Sequence, residues 1–160
     1  MIQNTNLRLQ NKIAIVVGGG QSIGETVGNG RAASITYAKE GARVIVVDNN
    51  LDAAQETVRK IKESGGTGFA YRANAAGEAE IATLIEFVRK KFGKIDILHN
   101  NVGISIAGGD AEVTEIHSDN FDQIIALNLK SMIYACKYAL PIMREQKFGN
   151  IINISSTAVH

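Results

Sequence analysis

Short apolar runs alternate with helically spaced segments along almost the whole chain. The runs KIAIVV (12–17), RVIVVD (43–48), GFAYRA (68–73), IDILHN (95–100) and NIINIS (150–155) are short and largely β-branched, which predicts five strands. Between them, segments 30–41, 51–66 and 77–93 carry apolar residues at helical spacing and close on glycine. A longer helix is expected over about 119–146, with Phe121, Ile124, Ile125, Leu129, Met132, Ile133, Cys136, Leu140 and Met143 on its period. Pro141 should kink it or weaken its last turns. Strands alternating with helices in this order imply an α/β fold. The expected form is a doubly wound parallel sheet with helices on both faces, three layers in one domain over 1–160.

Composition narrows the function classes. With 45% apolar and 21% charged residues among 160, the chain is of globular type. A net charge of +1 without a basic block argues against a nucleic-acid or anionic-membrane partner. No apolar run approaches membrane-spanning length, and the opening MIQNTNLRLQNK lacks a signal peptide's apolar core, so a cytoplasmic location is expected. The single Cys136 excludes an internal disulfide and reads as a small buried hydrophobe. His99, His117 and His160 have no metal-ligand spacing, so no metal site is expected.

The chemistry concentrates in IAIVVGGGQSIGETVGNGRAASITYAKEGARVIVVD, residues 13–48, where six glycines stand between a strand and a helix. A glycine-rich turn after the first strand lets backbone N–H groups approach a pyrophosphate, and the helix N-terminus adds favourable dipole charge. Gly18 ends the strand, while Gly28, Asn29 and Gly30 lead into the helix. The second strand closes on Asp48, placed to accept from a ribose diol and to repel a 2′-phosphate. Asn49 and Asn50 bring no cation, so NAD is favoured over NADP.

At these landmarks the sequence resembles the short-chain dehydrogenase/reductase family, over essentially its whole length. The family's Thr-Gly-x-x-x-Gly-x-Gly is similar to Val17, Gly18 and then Gly28-Asn29-Gly30. Its Asn-Asn-Ala-Gly is similar to Asn100-Asn101-Val102-Gly103, its helix asparagine to Asn128, and its strand-end serine lies in GNIINISS. The resemblance implies a Rossmann-like fold and hydride transfer between a nicotinamide cofactor and an alcohol or carbonyl. It implies cofactor contacts at Gly18, Gly28, Asn29, Gly30, Asp48, Asn74, Ala75, Asn100, Val102 and Gly103. It also implies catalytic roles for Asn128 and for Ser156, with Ser155 the competing choice. A homodimer or homotetramer through helix 119–146 follows from the same likeness.

Several positions depart from the family pattern. Gly18 and Gly28 stand ten apart where the family has four, so six residues are inserted within GGQSIGETV. Ser22, Thr26 or the loop's own N–H groups are expected to close over the pyrophosphate, although a surface elaboration fits the sequence equally well. Asn74 replaces the usual Asp near the adenine, and His99 replaces an aliphatic residue; the latter reads as a partly buried structural histidine. The family's Tyr-x-x-x-Lys is not found: Tyr37, Tyr71, Tyr134 and Tyr138 are followed four residues on by Gly41, Ala75, Tyr138 and Ile142. Because family members run to about 250 residues in one domain, residues 1–160 are expected to be the N-terminal part of a longer enzyme, inactive alone. The alternative is a catalytically incomplete nucleotide-binding module, a sensor or scaffold. A tyrosine–lysine pair beyond His160 would distinguish the two.

Overall fold

Apolar residues at every position of a strand call for cover on both faces, and both faces of this sheet are covered. The computed structural model describes residues 7–21, 26–105 and 109–156. Strands β1 (Ile13–Val17), β2 (Arg43–Asp48), β3 (Thr67–Arg72), β4 (Ile97–Asn100) and β5 (Asn150–Asn153) form one sheet in the order β3-β2-β1-β4-β5. All four pairings are parallel, as the alternating pattern predicts. Val17 is level with Val47 on one side and Asn100 on the other, so the carboxyl ends of the central strands finish together. The order turns back between β1 and β4, and that is where a ligand crevice is expected.

Helices α1 (Asn29–Lys39), α2 (Leu51–Glu63) and α3 (Glu78–Phe92) link the strands. Each ends where the sequence predicts, with a glycine past its last turn: Gly41 (φ 93°), Gly65 (φ 80°) and Gly93 (φ 76°). Ala14, Val16, Val44 and Val46 pack with Ala38, Ala54 and Ile61 on one face. Ile15, Val17, Ile45, Val47 and Leu98 pack with Ile81, Leu84, Val88 and Ala139 on the other. Ile15, Ile45 and Leu98 are fully buried, each contributing about 1.5–3 kcal/mol.

The long helix spans the expected range but departs from a regular helix in its middle. It consists of α4 (Ser118–Ile125), a π-helical turn (Ala126–Lys130) and α5 (Ser131–Glu145) in unbroken succession. It runs to Glu145, within a residue of the expected end, with Pro141 inside α5. Pro141 and Lys137 are both exposed, so the Lys137 carbonyl left without an N–H partner can turn to water at little cost.

His99 is buried as a structural residue, as its sequence position suggests. Its Nδ1 lies 2.8 Å from the Tyr37 hydroxyl of α1, and its Nε2 is buried with no partner. Burial pushes the imidazole below its ordinary range. A histidine held neutral in the folded state takes its proton first when the chain unfolds. Stability therefore falls as pH drops through about 6.5, the unfolded value, and levels off below the folded one. His99→Val is expected to flatten that acid limb in a series of thermal melts between pH 5 and 8. Parallel limbs in variant and wild type would show that other groups produce it.

Candidate functional site

A cleft of about 630 Å³ opens across the carboxyl ends of β1, β2 and β4. One wall is the glycine turn. Gly18 takes φ 81°, a left-handed conformation that an L side chain rarely adopts. Gly30, in the first turn of α1, is pressed against it: a Cβ there would stand 1.9 Å from the Gly18 carbonyl oxygen and 2.8 Å from Asn101 Nδ2. The enlarged turn thus closes at its base, bringing Gly28, Asn29 and Gly30 into the cleft wall beside Gly18. The N-cap Gly28 offers no side-chain cap, and the first turn of α1 holds no acidic residue. The helix therefore presents bare N–H groups and a positive dipole end to the cleft.

Asp48 stands across from that wall, at the end of β2. Its Oδ2 accepts from the Gly20 N–H at 3.0 Å and its Oδ1 from the Asn50 N–H at 3.0 Å. Those bonds fix the carboxylate and leave further acceptor capacity on both oxygens toward the cleft. Among the described residues, none of those lining the cleft is Lys or Arg. Ala73, Asn74 and Ala75 form the adjoining wall after β3. Asn74 Oδ1 accepts from the Ala76 N–H and its own N–H donates to Glu80 Oε2, so the segment is held in one shape.

The third wall follows β4, and here the sequence expectation needs correcting. Asn100 does not line the cleft. It is 3% exposed, and its Nδ2 donates to Asn153 Oδ1 at 2.8 Å on the face covered by α5. Asn101 lines the cleft instead, its Nδ2 donating to the Gly18 carbonyl at 3.1 Å. Strand alternation explains the exchange: Leu98 and Asn100 share the α5 face, and the chain leaves the strand at the next residue. Val102, Gly103 and Ile104 complete this wall with Leu127 from the long helix.

Asn128 serves the same wall indirectly. Its Oδ1 accepts from the Ile104 N–H and its Nδ2 donates to the Ile104 carbonyl, both at 2.8 Å. An amide paired twice to one residue's backbone fixes both the direction and the distance of the loop after β4. The π-helical turn carries this residue, an arrangement common where a helix gives up regular bonding for a site. Ser155 and Ser156 are exposed just past β5 and do not line the cleft. Thr26 lines the cleft, whereas Ser22 lies outside the described residues. Gly20, Gln21, Asn101 and Leu127 were not singled out from sequence. Only Asn101 had a signal there, as the second member of the Asn-Asn pair.

A parallel sheet with a glycine turn, a bare helix N-terminus and a strand-end carboxylate around one crevice defines an α/β protein of the Rossmann type. Residues 12–160 match the family model described as short chain dehydrogenase, and the chain belongs to that family. A 7alpha-hydroxysteroid dehydrogenase of Escherichia coli (strain K12) is 36% identical over 158 residues, covering 99% of this chain and 58% of that protein. A solved 7α-hydroxysteroid dehydrogenase complexed with NADH and 7-oxo glycochenodeoxycholic acid matches with TM-score 0.84 at 36% identity, over 99% of this chain and 58% of the other. A metagenomic short-chain oxidoreductase in complex with NADP matches with TM-score 0.85 at 27% identity, over 94% of this chain and 64% of the other. The chain spans 51% to 58% of the length of curated relatives it matches. Among the described residues, no helix is long and apolar enough to cross a membrane.

Proposed function

We propose that this chain is the cofactor-binding part of an oxidoreductase that moves a hydride between NAD and an alcohol or carbonyl substrate. The observation that carries the reading is Asp48, fixed at the cleft by two backbone N–H groups with no Lys or Arg among the lining residues. A carboxylate there accepts from the two hydroxyls of a ribose. It also repels a 2′-phosphate, with water and salt screening part of that repulsion in an open cleft. The donor set fits the rest of the dinucleotide: bare N–H groups at α1 for the pyrophosphate, and small residues, Ala73 and Ala75, beside an adenine. When bound, the nicotinamide supplies the hydride acceptor or donor.

The chain's own residues bind and orient. Gly18, Gly28, Asn29 and Gly30 receive the phosphates, and Asn74, Ala75, Val102 and Gly103 shape the walls around the bases. Asn128 holds Ile104, and through it the wall against which the reacting ring rests. Ser156, with Ser155 as the competing choice, holds the substrate oxygen. The proposal extends to a cytoplasmic protein that assembles as a homodimer or homotetramer through the long helix. Phe121, Leu129, Ile133 and Leu140 are exposed along it and support that reading.

Titration of the purified protein with NADH and NADPH, followed by fluorescence of the reduced ring, tests the proposal. Saturable NADH binding at least tenfold tighter than NADPH is expected, and light scattering on the same sample should give a mass above the monomer. Equal affinities would remove the role given to Asp48. No binding of either would remove the cofactor reading altogether.

A further inference from the structure

The enlarged glycine turn sets a physical problem. Gly28 follows Gly18 by ten positions, yet the first turn of α1 must still meet Gly18 closely enough that Gly30 can carry no side chain. A longer connection has more conformations to lose, and the cost rises with loop length. Gly28, where the excursion returns, has no side chain of its own to cap the helix. Something must fix its far end.

Gln21 is placed to do so. It stands three residues after Gly18, and its carboxamide reaches across to the returning strand of the loop. Its Nε2 donates to the Thr26 carbonyl at 2.8 Å, and its Oε1 accepts from the Gly28 N–H at 3.1 Å. Both ends of one amide are thus spent on backbone groups five and seven residues away. The two bonds fix Gly28 in the extended conformation from which α1 starts (φ −66°, ψ 149°). They also leave the Asn29 and Gly30 N–H groups unblocked by Gln21.

We propose that Gln21 is a positioning residue for the dinucleotide: it clasps the enlarged turn so that the N-terminus of α1 faces the pyrophosphate as it would on a short turn. This rests on the cofactor reading above and adds to it a residue whose effect exists only because the turn is long. Gln21 acts through Gly28 and is not assigned a contact with the ligand.

Gln21→Met keeps the length of the side chain and removes both polar groups. In the full-length purified protein it is expected to weaken NADH about tenfold and to leave the melting temperature within about 2 °C. A second background separates positioning from contact: deleting residues 22–27 restores the short turn and makes the clasp redundant. There Gln21→Met should change NADH affinity less than twofold. An equal tenfold loss on the short turn would mean that Gln21 touches the cofactor directly, and the proposal would fall. Unchanged or tighter NADH binding by the single variant would overturn it as well.

Should the shortened protein not fold, amide exchange at Gly28 reads the clasp without any cofactor. Exchange about tenfold faster in Gln21→Met is expected, and an unchanged rate rejects the clasp. If the wild type bound no NADH at all while Gly28 exchange still responded, the clasp would stand as a structural bond and the cofactor reading would be what failed.

Discussion

Gly30→Ala is expected to cripple cofactor binding, although alanine is the better helix former by about 1 kcal/mol. The new Cβ would stand 1.9 Å from the Gly18 carbonyl oxygen, a distance no Cβ tolerates, and the obstacle is backbone with no side chain to swing aside. Either α1 moves off the turn or Gly18 moves off β1. Gly18 is tied at its other side, through its N–H to the Val47 carbonyl and through its own carbonyl to Asn101 Nδ2. Overpacking of this kind costs about 1–3 kcal/mol. At about 2–4 °C per kcal/mol, the melting temperature should fall by roughly 2–12 °C. NADH affinity should fall about 100-fold, equivalent to about 2.7 kcal/mol.

Gly28→Ala is the control. Its Cβ would meet only Gln21 Cγ, at 3.8 Å, which is ordinary contact. That variant should bind NADH within a few-fold of wild type. If Gly30→Ala also bound normally, Gly30 would not be the residue that closes the turn, and the six extra residues would have to be placed elsewhere.

The second large effect is expected at Asp48. Asp48→Asn keeps the shape of the side chain and removes its charge, so repulsion toward a 2′-phosphate disappears while one acceptor oxygen remains. The preference for NADH over NADPH is expected to shrink about 10- to 100-fold, mostly through tighter NADPH binding. The melting temperature should change little, because one of the two N–H groups of Gly20 and Asn50 keeps an acceptor and the other can turn to water at this half-buried position. A preference that stayed constant would place the choice of cofactor in other residues.

Periodicity carried the fold. Strands buried on both faces read as continuous β-branched runs, their alternation with helices required parallel pairing, and pairing aligned the carboxyl ends that form the crevice. Gly18, Gly28, Gly30 and Asp48 were legible for the same reason, since each is needed at a fixed distance from the end of a strand or the start of a helix. Asn128 was legible through the family likeness and as an amide poorly suited to a helix interior. Its partner, the backbone of Ile104, was not.

Only the tertiary structure decided how the polar side chains are spent. Asn100 and Asn101 look interchangeable in sequence, yet one is committed to Asn153 under α5 and the other to Gly18 across the sheet. The π-helical turn around Asn128, the pairing of His99 with the Tyr37 hydroxyl and the hold of Gln21 on Gly28 were decided in the same way. Local pattern records which face of an element is apolar, because burial repeats with the period of the backbone. A hydrogen bond depends on one partner at one distance and angle, often dozens of residues away, and it leaves no period in the chain.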